Sequence, residues 1–224
     1  MVAFLATPGW AKPGDLDRSF SRDGKVTTAF RIGDSEAYGL AIQADGKIVA
    51  VGVAEGDRSH GFSRFALARY NVGGGLDGTF SRDGKVTTDF TAGDDSASDV
   101  ALLPSGKIVA VGHARFRQFA VARYRSSGAL DPTFSGDGKV TTNFLRGEDV
   151  ASGVAIQADR KIVAAGRAAG SGGRFALARY NRNGSLDTGF GGDGRVGTNF
   201  TAGVDGAADS RHPIGWEDRG CRWC

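Results

Sequence analysis

Four residue patterns in this 224-residue chain have types and spacing that could do chemistry. Gly73-x-Gly75-x-x-Gly78 and Gly192-x-Gly194-x-x-Gly197 have the spacing of a dinucleotide-binding turn, where glycines let the backbone approach a pyrophosphate seated at a helix N-terminus. Cys221-Arg-Trp-Cys224 has the spacing of a redox pair or of half a zinc site. Asp-Gly turns begin at Asp23, Asp83, Asp137 and Asp193 and offer carboxylates in the manner of a Ca²⁺ loop. Finally, Asp17, Asp77, Asp131 and Asp187 recur along the chain, as do Arg69, Arg123 and Arg179.

Context removes the first three. The glycine fingerprint works only between a strand and a helix, and no helical periodicity occurs here, while the aligned segment SSGALDP from Ser126 lacks the pattern. The glycines therefore read as turns. The two cysteines have neither a second ligand pair nor a βαβ setting. One carboxylate per Asp-Gly turn supplies too few oxygens for Ca²⁺. No G-x-x-x-x-G-K-[ST] and no G-x-S-x-G is present, and His60, His113 and His212 do not recur at equivalent positions. The sequence predicts no catalytic residues, no metal ligands and no cofactor, with Ca²⁺ as an option that nothing in the spacing supports.

Composition narrows the class further. Lys and Arg number 28 against 25 Asp and Glu, and no segment concentrates cations with aromatic residues, so nucleic acid is not an expected partner. No apolar run reaches the ~18 residues of a membrane helix, and Val2 to Ala6 is too short for a complete secretory signal. Glycine stands out at 36 residues, alongside 14 Phe, which points to short strands joined by tight turns.

The elements that must hold the recurring Asp and Arg residues are repeats. Leu-Asp pairs fall at Leu16, Leu76, Leu130 and Leu186, followed by DGKVTTAF from Asp23, DGKVTTDF from Asp83, DGKVTTNF from Asp137 and DGRVGTNF from Asp193. AIQADGKIVAVG from Ala41, ALLPSGKIVAVG from Ala101 and AIQADRKIVAAG from Ala155 come next. FALARYN from Phe65, FAVARYR from Phe119 and FALARYN from Phe175 close the unit. The Leu-Asp spacings are 60, 54 and 56, and the step from Gly52, Gly112 and Gly166 to the next Phe is 13, 7 and 9 residues. One loop thus absorbs all the length variation.

Each unit contains four strand signals. The VTT copies are β-branched, the IVAVG copies are apolar on both faces, and FALARY alternates with period two. Asp45-Gly46 and Ser105-Gly106 are hairpin turns; Arg160 stands in place of that glycine in the third copy, at an expected cost of about 1 kcal/mol if the turn is kept. Four strands in ~55 residues, repeated, predict an all-β, β-propeller-type fold of four-stranded blades: about 37–90, 97–144 and 151–200. Residues 24–30 read as an orphan outer strand completing a last blade whose other strands come from the C-terminal side, and 1–13 as a lead-in.

The segments LDxTF, GDGKVTTNF, AIQADGKIVAVG and FALARYNRNGSLD resemble the delta-60 repeat family of bacterial β-propeller-like proteins across about residues 14–209. The resemblance implies a tandem-repeat propeller, frequently exported or surface-associated, with no catalytic residues generally assigned.

After Asp209 the repeat is expected to continue as VAIQADGKIVAAG, but the chain reads SRHPIGWEDRGCRWC. Of positions 210 to 222, all but Ile214 can encode the repeat in the frame displaced by one nucleotide. Residues 210–224 are therefore expected to be a frameshifted tail, and the chain a fragment of a longer protein. Three blades alone leave unclosed sheet faces, so an open arc or association between chains is expected.

Recurrence assigns Asp17, Asp77, Asp131 and Asp187, with Arg69, Arg123 and Arg179, to structural roles: an Asp turn cap with an Arg against it. The candidate binding face lies elsewhere. In a blade, the loop between the second and third strands and the link to the next blade emerge on the same side. That side carries Asp34, Asp94, Asp95, Glu148 and Asp149 in the links, and Arg58, His60, His113, Arg115, Arg117, Arg167 and Arg174 around the variable loops. The expected function is a non-catalytic scaffold or binding protein for an unknown protein or carbohydrate, extracellular or cell-surface in its parent form. The alternatives are a Ca²⁺- or carbohydrate-binding module and, third, an exported hydrolase.

Overall fold

The computed structural model describes residues 14–30, 33–56, 61–90, 92–115, 118–144, 147–169 and 173–199. Runs of Val, Ile, Ala and Phe punctuated by turn residues become twelve strands: β1 Ser35–Ile42, β2 Ile48–Ala54, β3 Arg64–Tyr70, β4 Lys85–Thr88, β5 Ser96–Leu102, β6 Ile108–Ala114, β7 Gln118–Tyr124, β8 Lys139–Thr142, β9 Val150–Ile156, β10 Ile162–Ala168, β11 Arg174–Tyr180 and β12 Arg195–Thr198. They form three antiparallel four-stranded meanders in chain order, β1 to β4, β5 to β8 and β9 to β12. The fold is all-β, and its three sheets are propeller-type blades.

Each blade repeats the same local devices. The inner pair carries a register shift, between Ala37 and Gly39 in the first blade, Ala97 and Asp99 in the second, and opposite Ala165 and Gly166 in the third. Gly52, Gly112 and Gly166 sit opposite these irregularities, where a Cβ would collide with the carbonyl oxygens of Glu36, Ser96 and Val150. That close approach is why IVAVG and IVAAG end in glycine.

The blades stack by a large-on-small rule. Period two places Val109, Val111, Phe119 and Val121 on one face of the second blade and Ala110, Ala120, Ala122 and Tyr124 on the other. The small face packs against Val49, Val51, Phe65 and Leu67 of the first blade. The large face packs against Ala164, Ala176, Ala178 and Tyr180 of the third. Bulky side chains filling the shallow relief left by alanines give dense packing without overlap. Each fully buried Val, Leu or Phe here contributes about 1.5–3 kcal/mol.

Among the described residues each end blade has one neighbouring sheet. Leu40 of β1 is 58% exposed where its equivalent Val100 in β5 is 6% exposed. In the third blade the large-face residues Val163, Ala165, Phe175 and Leu177 are only partly buried.

Residues 24–30 form no sheet among the described residues, a difference from the outer strand expected there. They nonetheless occupy the outer-strand place beside the first blade. Tyr70 reaches Thr28 as Tyr124 reaches Thr88 and Tyr180 reaches Thr142. Lys85 Nζ donates to the Ala29 carbonyl as Lys139 Nζ donates to that of Asp89. Among the described residues no third strand lies inside the segment to supply ladder bonds, and these side chains hold it. Between it and the first blade's small face lies a cavity of about 290 Å³ lined by Val26, Thr28, Ala50, Gly52, Ala66 and Tyr70.

Candidate functional site

Leu-Asp turns place Asp77, Asp131 and Asp187 just past the ends of β3, β7 and β11, where each strand's penultimate residue is Arg. The antiparallel return, fixed by Asp77 N donating to the Arg69 carbonyl at 2.8 Å and its copies, brings carboxylate and guanidinium together. Arg69 Nε donates to Asp77 Oδ2 at 2.9 Å, Arg123 Nε to Asp131 Oδ2 at 2.8 Å, and Arg179 Nε to Asp187 Oδ2 at 2.7 Å. A lysine from the first hairpin turn joins each: Lys47 at 3.1 Å, Lys107 at 2.7 Å and Lys161 at 2.9 Å.

The second carboxylate oxygen caps its own turn. Asp77 Oδ1 accepts from the Thr79 amide and hydroxyl, and Asp131 Oδ1 from those of Thr133. The Thr79 hydroxyl leads in holding Asp77 well below the usual carboxylate range against the cost of burial, assisted by Lys47 and Arg69. For Asp131, burial pushes upward, but bonds from Lys107 and Thr133 and the charge of Arg123 outweigh it. Asp17, whose own copy has no Arg partner among the described residues, keeps only the bonds from the Ser19 amide and hydroxyl.

Arginine also joins blades. Arg69 NH1 donates to the Ser126 carbonyl of the second blade, and Arg123 NH1 to the Arg182 carbonyl of the third. Each guanidinium lies over a phenylalanine of its own Leu-Asp turn, Arg69 over Phe80 and Arg123 over Phe134, at 4.6 and 4.8 Å. With carboxylate, carbonyl, hydroxyl and ring all engaged, the group is a fastening rather than an exposed reactive centre.

The links and variable loops do meet on one side. Asp94 Oδ1 accepts from the Ser63 amide at 3.0 Å, Glu55 N donates to the Asp34 carbonyl, and Glu148 faces Arg167 at 3.5 Å. The structure sorts these residues into two kinds. Asp95 and Asp149 are fully buried: Asp95 accepts from the amides of Phe90 and Arg115, Asp149 from those of Phe144 and Ala169. Burial pushes Asp95 above its ordinary value, with the two amides opposing. These two carboxylates clamp the link to the variable loop instead of facing a ligand.

Asp34, Asp94, Glu148, Arg115 and Arg174 are exposed, and His113 and Arg167 are partly buried. Arg58, His60 and Arg117 lie outside the described residues, as do 1–13 and 210–224 with Cys221 and Cys224. Among the described residues no group of three or more His, Cys, Asp or Glu could hold a metal ion. The Oδ1 atoms of Asp23, Asp83, Asp137 and Asp193 accept from the amides two residues on, closing their own turns.

Sequence reasoning missed Asp99. Lying at the inner-strand irregularity where the other copies have Gly39 and Gly153, it is buried and accepts from the Val154 amide of the next blade at 2.9 Å. Its departure from the repeat was the available signal.

A family model described as a domain of unknown function (DUF5122) beta-propeller matches residues 43–80, 103–134 and 157–190. Each match runs from the first hairpin turn through the second and third strands to the phenylalanine of the Leu-Asp turn. No curated protein matches the chain.

Proposed function

We propose that the chain is a non-catalytic repeat scaffold of the delta-60 kind, belonging to an exported or cell-surface protein, that presents a binding rim and adds blades at its open ends. One observation carries this reading. The Asp-Arg-Lys groups that recur are engaged in fastening blades, whereas where links meet variable loops a repeated acidic position, Asp34, Asp94 and Glu148, stands beside positions that differ between copies: Val53, His113 and Arg167 at one, Glu55, Arg115 and Ala169 at another. Rigid blades with a length-variable loop on one edge suit recognition of an extended partner, a carbohydrate or a protein.

The test is a glycan array probed with the wild-type chain and with a variant whose first variable loop is shortened to the length found in the second blade. Retention by the wild type that the variant loses, at unchanged melting temperature, supports the reading. Retention unaffected by the exchange moves binding off that rim, and turnover of ester or glycoside substrates overturns the non-catalytic role.

A further inference from the structure

The groove between the second and third blades, on the side away from the variable loops, is built unlike its counterpart one blade earlier. It has a volume of about 340 Å³ and is lined by Ser105, Lys107, Arg123, Arg160, Arg182 and Asn183, among others. Four of these are cations, set against the single carboxylate of Asp131. At the equivalent positions of the first junction, Arg160 and Arg182 are replaced by Gly106 and Ser126, and Ser105 by Asp45. That junction carries two cations, Lys47 and Arg69, against two carboxylates, Asp45 and Asp77. The same backbone thus makes a neutral junction once and a strongly positive one the next time.

Arg160 is retained against local preference. Its φ is 65°, in the left-handed region where Gly46 and Gly106 have 79° and 76°. Its amide donates to the Gln157 carbonyl at 2.8 Å, the bond that Gly46 and Gly106 make to Gln43 and Leu103 at 2.9 Å. The turn is therefore complete without an arginine side chain, and placing one there introduces strain with no gain in folding. Among the described residues the Arg160 guanidinium has no hydrogen-bond or ion-pair partner. Arg182 uses Nε on the Asp159 carbonyl at 2.8 Å, which orients its two terminal nitrogens and leaves them without a partner there. Asp159 itself faces Lys161 at 3.8 Å.

We infer that this groove is a binding site for a small oxyanion, a phosphate or sulfate ester of sugar size, held by Arg160 and Arg182 with Lys107 at its floor. Two guanidinium groups converging from separate turns offer paired N–H donors that match the oxygens of a phosphate or sulfate group. Arg123 is already committed to Asp131, Thr133 and the Arg182 carbonyl, so it fixes the groove's shape and adds charge without needing to move. The site is independent of the rim proposed above, which lies at the other end of the strands.

The experiment is a titration of the full chain with inorganic pyrophosphate, followed by the NMR resonances of the arginine Nε–Hε groups. The expected result is saturable shifts of Arg160 and Arg182, weakening as salt rises above physiological strength. Arg160→Gly and Arg182→Ser restore the residues of the other copies, so each should fold. Each is expected to weaken binding about tenfold, and Arg160→Gly should also raise the melting temperature by roughly 2–4 °C. Arg64→Gln, on the first blade at the opposite end of the strands, should bind as wild type. A phosphorylated and a sulfated monosaccharide, titrated in parallel, distinguish the two sources of the oxyanion. No saturation by about 10 mM pyrophosphate, or equal affinity in the two restored variants, overturns the inference.

Discussion

The Tyr124 hydroxyl donates to the Thr88 hydroxyl at 2.8 Å across the interface between the first and second blades. Tyr180 and Thr142 repeat the bond at the next interface, and Tyr70 makes it to Thr28 at 2.7 Å, outside any sheet. Tyr124 and Tyr180 each close the small face of their blade on the outer strand of the blade before, and Tyr70 closes its own on the segment that stands in that place. Tyr124→Phe strands a buried Thr88 hydroxyl and is expected to lower stability by about 1–2 kcal/mol in urea unfolding. Tyr70→Phe, partly exposed at the equivalent place, should cost less than half of that.

Acid should weaken the blade fastenings first. Asp131 has its folded value held below its ordinary 3.8, so the folded state binds fewer protons than the unfolded chain on the acid side. Its stabilising contribution is complete above the unfolded value and is lost as pH falls through the folded one. Stability measured by denaturant should therefore decline from about pH 5 downward, with Asp77 and Asp187 adding in the same direction. Asp131→Asn is expected to flatten that decline and to cost about 2–3 kcal/mol at neutral pH, because it leaves the buried Arg123 without its counter-charge.

Glycine at the inner-pair irregularity is a steric requirement. Gly112→Ala drives a methyl group into the Ser96 carbonyl oxygen, and the hydrogen-bonded backbone on both sides cannot yield locally. The expected loss exceeds about 3 kcal/mol, and circular dichroism should show a lowered or absent melting transition. Gly153→Ala, where the nearest atom is Asp99 Oδ2 at 4.0 Å, should by contrast be tolerated.

The two faces of a blade predict opposite outcomes for one substitution. Val121 is fully buried against the third blade, so Val121→Glu should abolish folding. Leu177 occupies the same place on the third blade and is only partly buried. Leu177→Glu should leave the melting transition in place and reduce concentration-dependent association in light scattering. Association unchanged by Leu177→Glu would show that chains do not meet through that face.

What the sequence determined by itself was local and periodic. Strand positions, the hairpin at Gly46, the single length-variable loop and the pairing of Asp77 with Arg69 all depend on residues within one repeat. Alternation, turn chemistry and recurrence report these directly. Asp95 beside Asp94, and Asp149 beside Glu148, look alike in the chain, yet only the first of each pair is buried and bonded at both oxygens. Burial is set by which loop from another strand closes over a residue, and adjacency carries no record of it. The same holds for residues that break the pattern. Asp99 reaches Val154, and Arg160 and Arg182 share a groove with Lys107 and Arg123 of the blade before, because stacking superposes positions some fifty residues apart. The copies share one backbone plan, and among the described residues their packing in order buries the middle blade on both faces, leaves the end blades open, and sets the substituted Arg160 and Arg182 against Lys107 and Arg123 at one junction.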